Sequence, residues 1–201
     1  MRKTLFVLGA ALSLVALPAL GQAPRTATAI FAGGCFWTTE YQMEKIPGVI
    51  RAVSGFSGGD ERNPKYEDVY KGRTGHLEAV QVTYDPSKIS YRQLVDRFWR
   101  TIDPTDDFGQ ACDKGPGYRT AIFYANDAEK QAAEASKAAV DNGPRKGRIV
   151  TKIRPAKAFW PADAEHQDFA KRNPAHYEDY REGCGRDRIL ARLWADKQAS
   201  R

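Results

Sequence analysis

Three cysteines, Cys35, Cys112 and Cys184, carry much of the reactive potential of this 201-residue chain. An odd count leaves one thiol unpaired or exchanging partners, an arrangement that redox chemistry uses. One structural disulfide plus one buried thiol accounts for the count equally well. Cys35 follows Gly33-Gly34, where a predicted buried strand gives way to a helix. Glycines there let the backbone bend sharply and leave space over the sulfur. A thiol in the first turn of a helix faces unpaired N–H groups and the positive end of the dipole, and both favour the thiolate. A small buried hydrophobe is the competing role for such a cysteine. Phe36 and Trp37 follow directly. Beside a nucleophile they can form an apolar socket for a small substrate group, and otherwise they are core.

Glu78 is the second informative residue. In a strand predicted over 76–84 it shares a face with Val80, Val82 and Tyr84. A carboxyl on an apolar face resists ionisation and can hold a proton at neutral pH, which is what a general acid needs. The alternative is a salt bridge to an arginine such as Arg119. Asp113 and Tyr118 flank Gly115-Pro116-Gly117, and Tyr66 lies in a Gly-rich stretch. Tyrosines on loops can aim a hydroxyl at a polar substrate atom. The three Cys and three His lack metal-ligand spacing, so no metal is expected.

These groups have to be held by elements that the pattern also predicts. Residues 28–33 read as a buried strand, 35–45 as a helix stopped by Pro47-Gly48, and 49–56 as a second strand. Residues 57–75 contain Gly58, Gly59, Pro64, Gly72 and Gly75 and read as a long loop. After the strand over 76–84, Tyr91, Leu94, Val95, Phe98, Trp99 and Ile102 fall on one helical face, with Ser90 and Gln93 as a capping box. A strand over 118–125, a helix from about Asn126 and a strand over 149–154 follow, then a loop-rich tail. The order β-α-β-β-α-β, then α-β, predicts an α+β fold: a ferredoxin-like plait, a two-layer, mostly antiparallel sheet with helices, plus an additional helix, strand and C-terminal tail. A doubly wound sheet fits less well, because no helix separates the second and third strands.

The beginning of the chain has a different character. Arg2 and Lys3 precede an apolar run over 5–20, and Gly21-Gln22-Ala23 supplies small residues for cleavage. This is the outline of a secretory signal peptide, residues 1–23, ahead of one domain over 24–201. It predicts an exported, periplasmic or secreted protein with no stable membrane anchor, since the run falls short of a span of ~20 residues. The formal net charge is +6, and cleavage would remove two of the positive residues. Lys and Arg are scattered, so no nucleic-acid partner is expected. A monomer is expected.

Taken in order, Gly33-Gly34-Cys35-Phe36-Trp37-Thr38-Thr39-Glu40, Gly55-Phe56-Ser57-Gly58-Gly59, Asn63-Pro64-Lys65-Tyr66, Thr74-Gly75-His76-Leu77-Glu78 and the segment from Asp113 to Arg119 form one pattern. His166-Gln167 and Asn173-Pro174 complete it. It resembles the A-class peptide methionine sulfoxide reductases, enzymes that reverse methionine oxidation. The resemblance runs from about residue 30 to 187. It implies that Cys35 attacks the sulfoxide sulfur, Phe36 and Trp37 hold the methyl group, and Glu78 donates to the oxygen. Tyr66 and Tyr118 would assist, with Asp113 in support. It implies the S epimer of methionine sulfoxide in oxidised proteins or peptides as substrate, no cofactor, and an external thioredoxin-like dithiol as reductant. Thr38, Gly117 and Cys112 depart from the family's usual residues, and no Cys directly follows the segment 173–177.

The last departure bears on recycling. Cys35 sulfenic acid needs a second thiol to resolve it. Cys184 is favoured, because Gly183 and Gly185 read as hinges and Arg181, Arg186 and Arg188 would favour its thiolate. Cys112 is the alternative, or a buried thiol or relay, with Asp113 disfavouring its thiolate. A general thiol peroxidase or disulfide oxidoreductase competes as an enzyme, although there is no C-x-x-C. An exported binding module that reuses the fold would tolerate loss of Cys35 and Glu78.

Overall fold

A computed structural model describes residues 26–142 and 148–195. The leader expected over 1–23 lies outside the described residues. Strands β1 (Ala27–Gly33), β2 (Val49–Ser57) and β3 (Leu77–Tyr84) form the middle of a six-stranded sheet. Two further hairpin strands, β4 (Gly109–Gln110) and β5 (Asp113–Lys114), pair only with each other. The sheet also holds β6 (Thr120–Tyr124), β7 (Lys152–Pro155) and β8 (Trp160–Pro161). Its order is β7-β6-β1-β3-β2-β8, antiparallel throughout except for the β6–β7 pair. The class is α+β with a mostly antiparallel sheet.

Period-two alternation assigns the two faces of the sheet. Phe31, Val80, Val82 and Ile122 turn to the main core, where Met43, Leu94, Val95, Phe98 and Trp99 cover them. Ile30, Ala32, Leu77, Ala79 and Phe123 face the other way, under Phe159. The covering helices are α1 (Phe36–Glu44), α3 (Tyr91–Phe98) and α4 (Asp127–Asp141). Helix α3 starts at the capping box of Ser90 and Gln93, buries Tyr91, Leu94, Val95 and Phe98, and continues as a 3-10 turn over Trp99–Thr101. At α4, the Asn126 side chain accepts from the Glu129 N–H at 3.0 Å.

Two stretches differ from the sequence reading. The Gly-rich segment 57–75 is not all loop, because it contains α2 (Tyr66–Tyr70). The C-terminal tail is helical rather than loop-rich: α5 (Phe169–Arg172), α6 (Pro174–Cys184) and α7 (Arg186–Trp194). Helices this short gain little from propensity and depend on tertiary contacts. Here Phe169, Ala170 and Tyr177 pack with Trp37 and Tyr41. Pro174 opens α6, and Gly185 closes it at φ 66 with its N–H bonded to the Arg181 carbonyl. Gly183 is therefore part of a helix and Gly185 is a cap; they are not a pair of loop hinges.

Candidate active site

The nucleophile position is fixed by backbone constraints before any side chain acts. Gly34 has φ +82, and a Cβ there would lie 2.6 Å from the Gln110 side chain. Only glycine satisfies both the left-handed backbone and the close approach. The bend places Cys35 at the N-cap of α1, 6% exposed. The free helix N–H groups expected to favour its thiolate are partly taken. The Phe36 N–H donates to Glu78 Oε2 at 2.9 Å. Burial is the main influence on Cys35 and pushes its thiol up, and the Glu78 and Asp113 carboxyls push the same way. Cys35 therefore rests as a thiol, a correction to the dipole argument: desolvation outweighs a dipole whose first N–H is already occupied.

Glu78 reaches that N–H because the β2–β3 register sets it opposite Phe56, on the main-core face. It is 2% exposed. Burial pushes its carboxyl up to about 8, against the Phe36 N–H bond, which pulls down. Arg119, the alternative salt-bridge partner, points elsewhere and donates from Nε to the Asp107 carbonyl at 2.9 Å. Tyr118, in a 3-10 turn over Pro116–Tyr118, is within hydrogen-bond reach of both Glu78 and Tyr66. Burial is the largest cause raising both hydroxyls, and an ionised Glu78 would raise them further. Three acidic groups thus stay protonated around one thiol.

Asp113 stands on the β4–β5 hairpin and accepts from the Tyr180 hydroxyl at 2.6 Å. The Tyr180 hydroxyl also lies beside the Cys35 thiol. Burial raises Asp113, while Tyr180 and the Arg186 charge hold it back.

Aromatic rings wall the opening. The Phe36 ring lies 5.1 Å from His166, 5.9 Å from Phe56 and 6.2 Å from Tyr66. Trp37 stacks on Phe169 at 3.7 Å, and its indole N–H donates to His166 Nδ1 at 3.3 Å. The site so formed pairs a buried thiol and a neutral carboxylic acid with an apolar wall. That combination can hand a proton to an oxygen while a sulfur attacks beside it.

Cys112 and Cys184 are joined in a disulfide with Cα atoms 5.0 Å apart, and Cys35 is free. Cys112 is exposed, against the expectation of a buried thiol, because the short hairpin loop carries it outward. Cys184 stands one helical turn beyond Tyr180, on the same face of α6.

The model of a known family, "Peptide methionine sulfoxide reductase", matches residues 27–198. The chain belongs to the peptide methionine sulfoxide reductase family. The enzyme MsrA 2 of Caulobacter vibrioides is 47% identical over 196 residues, covering 96% of this chain and 99% of that one. Reduced Mxr1 from Saccharomyces cerevisiae superposes with a TM-score of 0.70 at 32% identity, covering 75% of this chain and 87% of that one. Mxr1 in complex with Trx2 gives 0.52 at 27% identity, covering 76% and 91%. The activity is methionine sulfoxide reduction of the MsrA type, that of a peptide-methionine (S)-S-oxide reductase.

Cys35, Phe36, Trp37, Tyr66, Glu78, Asp113 and Tyr118 all converge on this site of the reductase. Sequence reasoning missed Tyr180, Phe169 and Gln110. Nothing local flags them, since each matters only through what the fold brings beside it. His166 and Gln167 carried a signal as late markers. Their work is now visible: His166 meets three rings, and the Gln167 side chain accepts from the Ser54 N–H of β2 at 3.0 Å and donates to the Ser54 carbonyl at 2.8 Å.

Proposed function

We propose that Cys35 takes the oxygen of methionine S-sulfoxide while Glu78 protonates it. Cys184 and Cys112 then return Cys35 to the thiol, and a thioredoxin-like dithiol reduces the pair they form. The observation that carries the first half is a thiol and a protonated Glu78 buried together, with the Tyr118 hydroxyl between Glu78 and Tyr66. Proton donation makes the sulfoxide sulfur electrophilic as the Cys35 sulfur attacks. Thiol plus sulfoxide gives sulfenic acid plus thioether, a two-electron transfer with no net proton uptake. Phe36 and Trp37 hold the methyl on one side and Glu78 the oxygen on the other, so the R epimer would present them exchanged.

Condensation of the Cys35 sulfenic acid with the Cys184 thiol forms one S–S bond and releases water. The Cys112 thiol then attacks the Cys184 sulfur, and Cys35 leaves as a thiol. The pairing of Cys112 with Cys184 beside a free Cys35 supports this sequence. The Mxr1–Trx2 complex supports a thioredoxin-like reductant. Arg2, Lys3 and the apolar run over 5–20 support export and repair of oxidised exported proteins.

The test is turnover of purified S and R sulfoxides of one peptide with thioredoxin as reductant. Only S should turn over, Cys35→Ser should be inactive, and Cys184→Ser should release one equivalent of methionine and stop. Equal turnover of both epimers, or continued recycling by Cys184→Ser, refutes the corresponding half.

A further inference from the structure

Arg186 is the only buried Lys or Arg side chain among the described residues, at 3% exposed. Its Nη2 donates to the carbonyls of Gly33 at 2.6 Å and Thr101 at 2.8 Å. Its Nε and Nη1 have no hydrogen-bond partner. A guanidinium cannot discard its charge, and burying it costs several kcal/mol unless negative charge faces it. Neighbouring Arg181 is neutralised by Asp187 at 2.5 Å. Arg186 instead points inward, where its field reaches Asp113.

What surrounds it explains the inward direction. The Gly33 carbonyl it holds is two residues before Cys35. Its Nη1 comes within 3.3 Å of where a Gly34 Cβ would stand, the same point the Gln110 side chain crowds. Gln110 is two residues before Cys112, and Arg186 is two residues after Cys184. One buried cation with unspent donors therefore sits where all three cysteine-bearing segments meet.

We infer that Arg186 is a positioning residue for the recycling half of the reaction, stabilising the thiolates that pass through the sulfur relay. The inference rests on the relay proposed above. In the first exchange the Cys184 thiolate bonds to the Cys35 sulfur and the Cys35 S–O bond breaks, its oxygen leaving as water after taking up a proton. In the second, the Cys112 thiolate bonds to the Cys184 sulfur, the Cys35–Cys184 bond breaks, and Cys35 departs as thiolate. Each exchange spreads one negative charge over the reacting atoms, and a fixed cation nearby lowers its cost. Sulfoxide reduction uses the protonated Glu78 side of Cys35 and does not need Arg186.

The experiment mixes fully reduced protein with the S-sulfoxide peptide and quenches rapidly. It reads methionine released in the first turnover and the rate of Cys112–Cys184 formation by peptide mapping. R186M and R186Q should release methionine within about threefold of wild type and form the disulfide roughly tenfold more slowly or worse, as loss of a nearby charge in a buried site predicts. R186K should keep most of the disulfide rate. R186K and R186Q both retain a donor for the two carbonyls, so their comparison isolates the charge even if R186M does not fold. Equal disulfide rates in R186K and R186Q overturn the inference, as does a parallel fall of both steps in every variant. C184S separates the two ideas: if it forms a disulfide at Cys112 as fast as wild type, the relay itself fails.

Discussion

Glu78→Gln removes one proton and little else. The amide oxygen can still accept the Phe36 N–H that Glu78 Oε2 accepts at 2.9 Å, so the turn at Cys35 keeps its tie to β3. With its carboxyl pushed up to about 8, Glu78 is about nine-tenths protonated at pH 7. Loss of a general acid predicts a fall of about 10²-fold or more in single-turnover methionine release. The wild-type advantage over E78Q should narrow as pH passes about 8, because ionised wild-type Glu78 has no proton to give either. Wild-type stability should fall over the same direction of pH change. A raised folded-state value means the folded chain binds this proton more tightly than the unfolded chain, where the ordinary value is 4.5. Folding is therefore unpenalised below that ordinary value and increasingly penalised as pH rises towards the folded one. From these two values the penalty is about 3 kcal/mol at pH 7 and approaches about 5 kcal/mol at higher pH. The urea midpoint of the wild type should fall as pH rises from about 4.5 through about 8, and that of E78Q should fall less. A single-turnover loss below about threefold, or parallel pH–stability curves for the two proteins, would refute the buried-acid reasoning.

Two further outcomes follow from the same residues. Gln110, 1% exposed, bonds the Asp103 N–H at 2.7 Å and the Asp103 and Gly109 carbonyls at 2.8 and 2.7 Å. Gln110→Ala should destabilise by about 1–3 kcal/mol in urea titration, and a change under about 0.5 kcal/mol contradicts that accounting. Export predicts a mature N-terminus after Ala23 in mass spectra of protein from its native cells, and retention of residues 1–20 refutes it.

Features that repeat with a local period or depend on residue type were legible before any fold was known. Alternation along 77–84 put Glu78 on the apolar face with Val80 and Val82, and helical spacing with the Ser90–Gln93 box defined α3. Gly33-Gly34 announced a backbone that tolerates no side chain, as the Gln110 contact explains. Ordered motifs named the family. The tail was not legible, because α5 and α6 are short and mostly polar, and their order comes from Phe169 and Tyr177 packing on Trp37 and Tyr41. The protonation state of Cys35 was not legible either. A helix N-terminus argues for a thiolate, but only tertiary structure reveals that Glu78 takes the first N–H and that burial dominates. Long-range partnerships, such as Cys112 with Cys184 across 72 residues, or Arg186 with the Gly33 carbonyl across 153, have no local signature at all. Side-chain type and spacing fix what a residue can do, and desolvation and distance, which belong to the whole fold, decide which of those things it does.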